Sequence, residues 1–214
     1  MPYTLPHAPA SRPDLSFETR MTQAGRAPLR RHGFVNPPVQ RGSTVLHASC
    51  EAMDAVHRRS FEQVLTYGTA GGPTHHALED AIAEIEGGTR CLVVGTGLAA
   101  VALALQAYLR AGDHCLIADS IYGPTRRLAD GLLRGWGIEI EYYDPLVDEA
   151  GLEALLRPNT RVVMTESPGS HTFEVQDIPA IARGQLEWED AARAQQPALL
   201  ILDTHLLSNI LWSR

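Results

Sequence analysis

The stretch "CLVVGTGLAA", residues 91–100, decides how this chain is read. Cys91 to Val94 form an apolar run that enters Gly95-Thr96-Gly97, and a series of small helix formers follows. The pattern predicts a strand, a tight turn that exposes backbone amides, and the first turn of a helix. Unpaired amides and the helix dipole both favour an anion at such a corner, most often a phosphate.

Outward from this corner, the sequence alternates helix and strand from about residue 74. "THHALEDAIAEIEGG" places Leu78, Ala81, Ile82 and Ile85 on one helical face, with Gly87-Gly88 as the stop. Strands are expected at 91–94, "HCLIAD" (114–119), "IEIEYYD" (138–144), "RVVMTES" (161–167) and "ALLILD" (198–203). Helices are expected over about 98–110, about 124–135, near 152–156 and about 178–195. Apolar strands separated by helices imply an α/β fold, a mostly parallel sheet covered on both faces. Residues 1–63 are rich in Pro and Arg with little periodicity. They read as an N-terminal arm of extended chain and turns, which leaves 64–214 as the main domain.

With 44% hydrophobic and 20% charged residues, the 214-residue composition is that of a soluble globular protein. The formal net charge of −7 counts against a nucleic-acid or anionic-membrane surface, which needs clustered positive charge. The N-terminus lacks a secretory pattern and no apolar run has membrane-spanning length, so a cytoplasmic location is expected. Cys91 and Cys115 read as small buried side chains in a reducing compartment. All 18 basic residues are arginine; there is no lysine.

Two readings of the glycine turn stay open on the residues alone. Gly95-Thr96-Gly97-Leu98-Ala99-Ala100 fits the dinucleotide pattern G-x-G-x-x-A, with Asp119 closing the next strand. That reading makes an NAD(P)- or FAD-binding oxidoreductase. Alternatively, the amides of Gly97 and Leu98 and the Thr96 hydroxyl hold a single phosphate. Tyr122 and Asp203 lie at comparable strand ends, where one could stack on a cofactor ring and the other face a ring nitrogen. Together these describe a pyridoxal phosphate pocket.

Longer stretches carry a resemblance. "GFVNPPVQRGSTVL" (33–46), "YGTAGGPTHHALEDAIAEIEGG" (67–88), "GTGLAAVALALQAYLRAGDH" (95–114), "ADSIYGPTRRLADGLL" (118–133), "YYDP" (142–145) and "PNTRVVMTESPGSHTFEVQDIPAIA" (158–182) occur in this order. The chain resembles the cystathionine β-lyases, within the pyridoxal-phosphate-dependent enzymes of cysteine and methionine metabolism. The resemblance implies the aspartate-aminotransferase-like large domain of fold type I, and a homotetramer built from dimers that share active sites. The implied reaction converts cystathionine, a small sulfur amino acid, to homocysteine, pyruvate and ammonia.

On these residues the resemblance places the cofactor phosphate at Thr96, Gly97 and Leu98. It places a stacking tyrosine at Tyr122 and the partner of the pyridinium nitrogen at Asp203. Tyr67 matches a tyrosine that reaches the neighbouring subunit's phosphate. Two departures accompany it. Gly68-Thr69 stands where Gly-Arg is usual, and the matching pattern ends after Asp203, with "THLLSNILWSR" following. The Schiff-base lysine has no counterpart here, so no catalytic residue is assigned. The expectation is a truncated large domain, inactive alone and poorly soluble, or a non-catalytic partner of full-length subunits.

Other constellations read as structural. His75-His76 suggests a solvated helix end. Glu166-Ser167 looks like a strand-to-loop turn with Pro168-Gly169. Arg58-Arg59 and Arg126-Arg127 are expected on exposed faces.

Overall fold

A computed structural model describes residues 15–30, 32–59, 62–177, 199–204 and 208–211. The chain divides into two compact units, residues 1–93 and 94–214.

In the first unit the arm is not wholly extended. Two helices, α1 (Phe17–Gln23) and α2 (Cys50–His57), each start at a serine cap. The Thr19 amide donates to Ser16 Oγ at 3.3 Å, and the Ala52 amide to Ser49 Oγ at 3.2 Å. These caps satisfy amides that the first helical turn leaves orphaned. Neither helix buries a residue, which is why no apolar period announces them. Helix α3 (Pro73–Glu86) starts with proline in its first turn and ends at Gly87 in the left-handed conformation. His76 and Ala77 are its buried residues, whereas Leu78 from the predicted apolar face stands half exposed. The α1–α3 approach is close: a Cβ on Gly25 would lie 2.3 Å from the Ala77 carbonyl oxygen.

The second unit is the α/β body. Helix α4 (Gly97–Tyr108) precedes β1 (His114–Ala118), and α5 (Gly123–Leu128) continues through a π turn over 129–133. Then come β2 (Glu139–Tyr143), α6 (Glu149–Ala154) and β3 (Thr160–Glu166), with β4 (Leu199–Thr204) and β5 (Ser208–Leu211) last. The strand order is β2-β1-β3-β4-β5, parallel from β2 to β4, with β5 antiparallel to β4. Alternation of side chains splits the core. Cys115, Ile117, Ile140, Val162 and Met164 cluster with Val101 and Leu105 of α4 and Leu133 of the π turn. Leu116, Ala118, Tyr143 and Val163 cluster with Leu152 of α6 on the opposite face. Fully buried β1 therefore shows no polar–apolar alternation.

Four of the five predicted strands form. Residues 91–94 do not: they join no ladder among the described residues, and Leu92 is 73% exposed. An apolar run states that a segment can be a strand, while a strand also needs a neighbour. Cys91, on this segment, is accordingly only partly buried, whereas Cys115 is buried as expected. The fifth strand is instead β5, from the apolar tail. The helix predicted over 178–195 lies outside the described residues.

Candidate functional site

Three chain segments leave the carboxyl edge of the parallel sheet. Residues 119–122 turn from β1 into α5, residues 167–177 follow β3, and β4 carries Asp203 in register with Glu166. Helix α4 reaches β1 through residues 109–113, so it runs against the strands and its N-terminus lies at this same edge. It packs against β3, β4 and α5. Ligands of open parallel sheets bind outside this edge.

The α4 corner has the chemistry of an anion site. Thr96 is the N-cap, its Oγ1 accepting from the Ala99 amide at 3.1 Å, which leaves the hydroxyl proton to donate elsewhere. The amides of Gly97 and Leu98 have no partner among the described residues. Neither Gly95 nor Gly97 has positive φ, and a Cβ on either would meet no atom within 4 Å. Backbone conformation and internal packing therefore leave glycine unexplained. The amides of Gly97 and Leu98 and the Thr96 hydroxyl have the donor chemistry that fits a phosphate.

Tyr122 is the N-cap of α5 and stands 44% exposed. Its amide donates to Glu166 Oε2 at 2.8 Å. Glu166 is buried at 3% exposure, and its Oε1 accepts from Ser170 Oγ at 2.5 Å. The Ser170 amide in turn donates to the Ser120 carbonyl at 2.8 Å. Gln176 completes the loop: its Nε2 donates to the Glu166 carbonyl at 2.8 Å, and its Oε1 accepts from the Tyr143 hydroxyl at 2.9 Å. Burial pushes the Tyr143 phenol well above its ordinary value, so it acts as a donor. Ser120 Oγ is buried at this edge and makes no hydrogen bond among the described residues.

By sequence Glu166 reads as part of a strand-to-loop turn, which does not disclose these bonds. The available signal was a carboxylate closing an apolar strand at the ligand-binding edge. Its partners lie 44 and 4 residues away, which no local pattern reveals.

Thr96, Gly97, Leu98 and Tyr122 thus belong to one unit, together with the backbone position of Asp203; the side chain of Asp203 lies outside the described residues. Tyr67 belongs to the first unit. It forms a bridge with Thr44, and Gly68 follows it where a Cβ would lie 2.2 Å from the Gly42 carbonyl oxygen.

The dinucleotide reading loses both of its supports. Among the described residues no strand precedes the glycines, and the Asp119 carboxylate is paired with Arg126. Arg126 also stacks its guanidinium 3.9 Å from the Tyr142 ring centre, so it is no idle surface charge. The Tyr142 hydroxyl donates to Asp130 at 2.9 Å, and burial and that contact push its phenol up to about 12. His76 is likewise a correction: it is buried, and burial pulls its imidazole below the ordinary value. His75 is exposed and accepts from the Gly72 amide at 3.3 Å, as a cap. Among the described residues, no cluster of His, Cys, Asp and Glu is placed to hold a metal ion. No described helix is long and apolar enough to cross a membrane.

Comparison with known proteins adds to this geometry. The family model described as "Cys/Met metabolism PLP-dependent enzyme" matches residues 18–213. A putative cystathionine beta-lyase of Rhizobium johnstonii is 49% identical over 166 residues, 78% of this chain and 40% of that protein. Cystathionine beta-lyase MetC of Escherichia coli is 34% identical over 200 residues, 93% of this chain and 49% of that one. Among solved structures, metB from Corynebacterium glutamicum superposes with a TM-score of 0.74 at 26% identity, covering 88% of this chain and 45% of its own. The chain thus spans between two fifths and half the length of these relatives.

Proposed function

Because the chain belongs to the Cys/Met metabolism PLP-dependent enzyme family, we propose that it supplies the pyridoxal-phosphate-binding region of a carbon–sulfur β-lyase acting on cystathionine. The reading rests on one observation above the others: the α4 corner offers two unpartnered amides and a hydroxyl at the carboxyl edge that also carries Tyr122 and Asp203. The unit 94–214 holds Thr96, Gly97, Leu98, Tyr122 and Asp203, whereas Tyr67, which the domain expected over 64–214 includes, falls in the unit 1–93.

In this reading Thr96, Gly97 and Leu98 hold the phosphate by hydrogen bonds strengthened at a helix N-terminus. Tyr122 offers its half-exposed ring as a stacking surface. Asp203 supplies the carboxylate that keeps a bound ring nitrogen protonated. When bound, pyridoxal phosphate supplies an electron sink for the substrate carbon. Tyr67 serves the phosphate of a second copy, and the family assembly is a homotetramer in the cytoplasm. Sulfur amino acids are the substrate class.

A lysine amine is required for covalent attachment and proton removal, and these 214 residues contain none. Arginine stays protonated and cannot take that part. The residues present bind and orient; they do not turn over.

The test is a titration of the purified chain with pyridoxal phosphate, followed by absorbance and by competition with inorganic phosphate. Saturable binding that phosphate weakens, and that the Thr96→Ala substitution weakens further, supports the reading. Binding indifferent to both sinks it.

A further inference from the structure

The carboxyl edge contains a residue that the phosphate corner and the stacking tyrosine do not account for. Glu166 is an acid with 3% of its surface exposed, at the end of β3. Burying a carboxylate is costly unless donors surround it. Its donors include the Tyr122 amide at 2.8 Å and Ser170 Oγ at 2.5 Å. Its own carbonyl is taken up by Gln176 at 2.8 Å.

These bonds converge on the turn that presents Tyr122. Helix α5 has no side-chain cap of its own from Tyr122; ahead of it the Asp119 amide donates to the Tyr143 carbonyl at 2.8 Å and Arg126 Nη2 to the Asp119 carbonyl at 2.7 Å. The Ile121 amide donates to the Ala118 carbonyl at 3.0 Å, and the Ser120 carbonyl accepts from the Ser170 amide at 2.8 Å. Gly169 lets the 167–177 loop lie directly on that turn, since a Cβ there would fall 2.5 Å from Ser120 Cβ. One carboxylate thus fastens the backbone of Tyr122 and the loop that covers the turn.

We propose that Glu166 is the positioning residue of the Tyr122 ring: by accepting from the Tyr122 amide and Ser170 Oγ, it fixes the backbone from which that ring is offered to the cofactor. The cofactor part of this inference rests on the function proposed above, while the anchoring part does not. What Glu166 contributes is geometry. Glutamine can reproduce both contacts, its carbonyl accepting from the Tyr122 amide and its NH2 donating to Ser170 Oγ. Alanine can reproduce neither.

The experiment uses the whole 214-residue chain with Glu166→Ala, Glu166→Gln, Tyr122→Ala and the Glu166→Ala/Tyr122→Ala double variant. Amide hydrogen exchange at Tyr122 reads the anchor without any ligand, with Leu116 and Ile117 as internal controls of the fold. Pyridoxal phosphate titration reads the consequence. Glu166→Ala speeds Tyr122 exchange about tenfold and weakens cofactor binding about tenfold, the scale of one lost charge-assisted hydrogen bond. Glu166→Gln restores both to within about threefold. In the Tyr122→Ala background the effect of Glu166→Ala on binding falls below about twofold, because residues acting as one unit are not additive.

Three results overturn the proposal: glutamine as damaging as alanine, a Glu166→Ala effect on binding that persists without the Tyr122 ring, or Tyr122 exchange unmoved by Glu166→Ala. If the wild-type chain takes up no pyridoxal phosphate, the proposed function fails. The anchor is then still decided by exchange, supported if alanine accelerates it and glutamine reverses this, and overturned otherwise.

Discussion

Gly169 and Ser120 touch so closely that a Cβ built on the glycine would lie 2.5 Å from Ser120 Cβ and 2.6 Å from Ser120 Oγ. The contact joins the loop after β3 to the turn after β1. Gly169→Ala must push these backbones apart and stretch the bond from the Ser170 amide to the Ser120 carbonyl. The expected cost is about 1–3 kcal/mol of stability, typical of an overpacked site. A thermal melt should show Tm lowered by several degrees, and an unchanged melt would mean that the loop is free to move aside.

Gly97→Ala separates packing from ligand approach. The position is the first of α4, its φ is ordinary, and a Cβ there meets nothing within 4 Å. Stability should hold or rise by about 0.4–1 kcal/mol, because alanine restricts the unfolded chain. Pyridoxal phosphate affinity should nevertheless fall about tenfold, since the new methyl stands where an anion would meet the amides. Melting and titration of the same sample check both halves.

Thr96→Ala should act on both quantities in one direction. It removes the cap on the Ala99 amide, at about 1 kcal/mol. It also removes the hydroxyl offered to the phosphate. Thr96→Ser keeps both, so the serine variant should track wild type in melting and in titration.

Acid should loosen the fold through its buried imidazoles. Burial, with Arg157 close by, holds His114 below the ordinary histidine value despite the opposing pull of Glu141, whose carboxylate lies 3.2 Å from Nε2. Its Nδ1 meets Thr160 Oγ1 at 2.8 Å. Between that depressed value and the ordinary one near 6.5, the unfolded chain binds more protons than the folded one. Stability is therefore full above about pH 6.5 and declines as pH falls through this window. His76 contributes with the same sign. Melts from pH 7.5 to 5 should show falling Tm, and His114→Asn should make the decline shallower.

Cystathionine incubated with the chain and pyridoxal phosphate should release pyruvate no faster than with the cofactor alone. None of the 18 basic side chains can be deprotonated to act as the amine. A coupled pyruvate assay decides it. Turnover clearly above the cofactor blank would show that another group performs the proton transfer.

What the sequence discloses here is what local order can encode. β1 and β3 declare themselves by the continuous apolar runs 115–118 and 162–164, and β2 by alternation of polar and apolar residues, each followed by turn chemistry. Residues 91–94 carry the same apolar signature without pairing, because a ladder depends on what lies beside it. β5 escapes notice for the converse reason, having a ready partner in β4 but a short and mixed sequence. The strand-end positions of Tyr122 and Asp203 were legible, whereas the strand expected before the glycine corner does not form among the described residues. The role of Glu166 was not legible, because a lone acid after an apolar run resembles any strand terminus, and its burial is a tertiary fact. The same holds for His76, whose neighbour His75 sits in solvent one residue away.

The carboxylate shared between the Tyr122 amide and Ser170 has a mechanical corollary. Two loops tied to one post lose their independence, so the tip of β1 cannot drift without dragging the tip of β3. Whatever perturbs residues 167–177 is thereby felt by an aromatic ring dozens of positions upstream, along a tether only a few ångströms long.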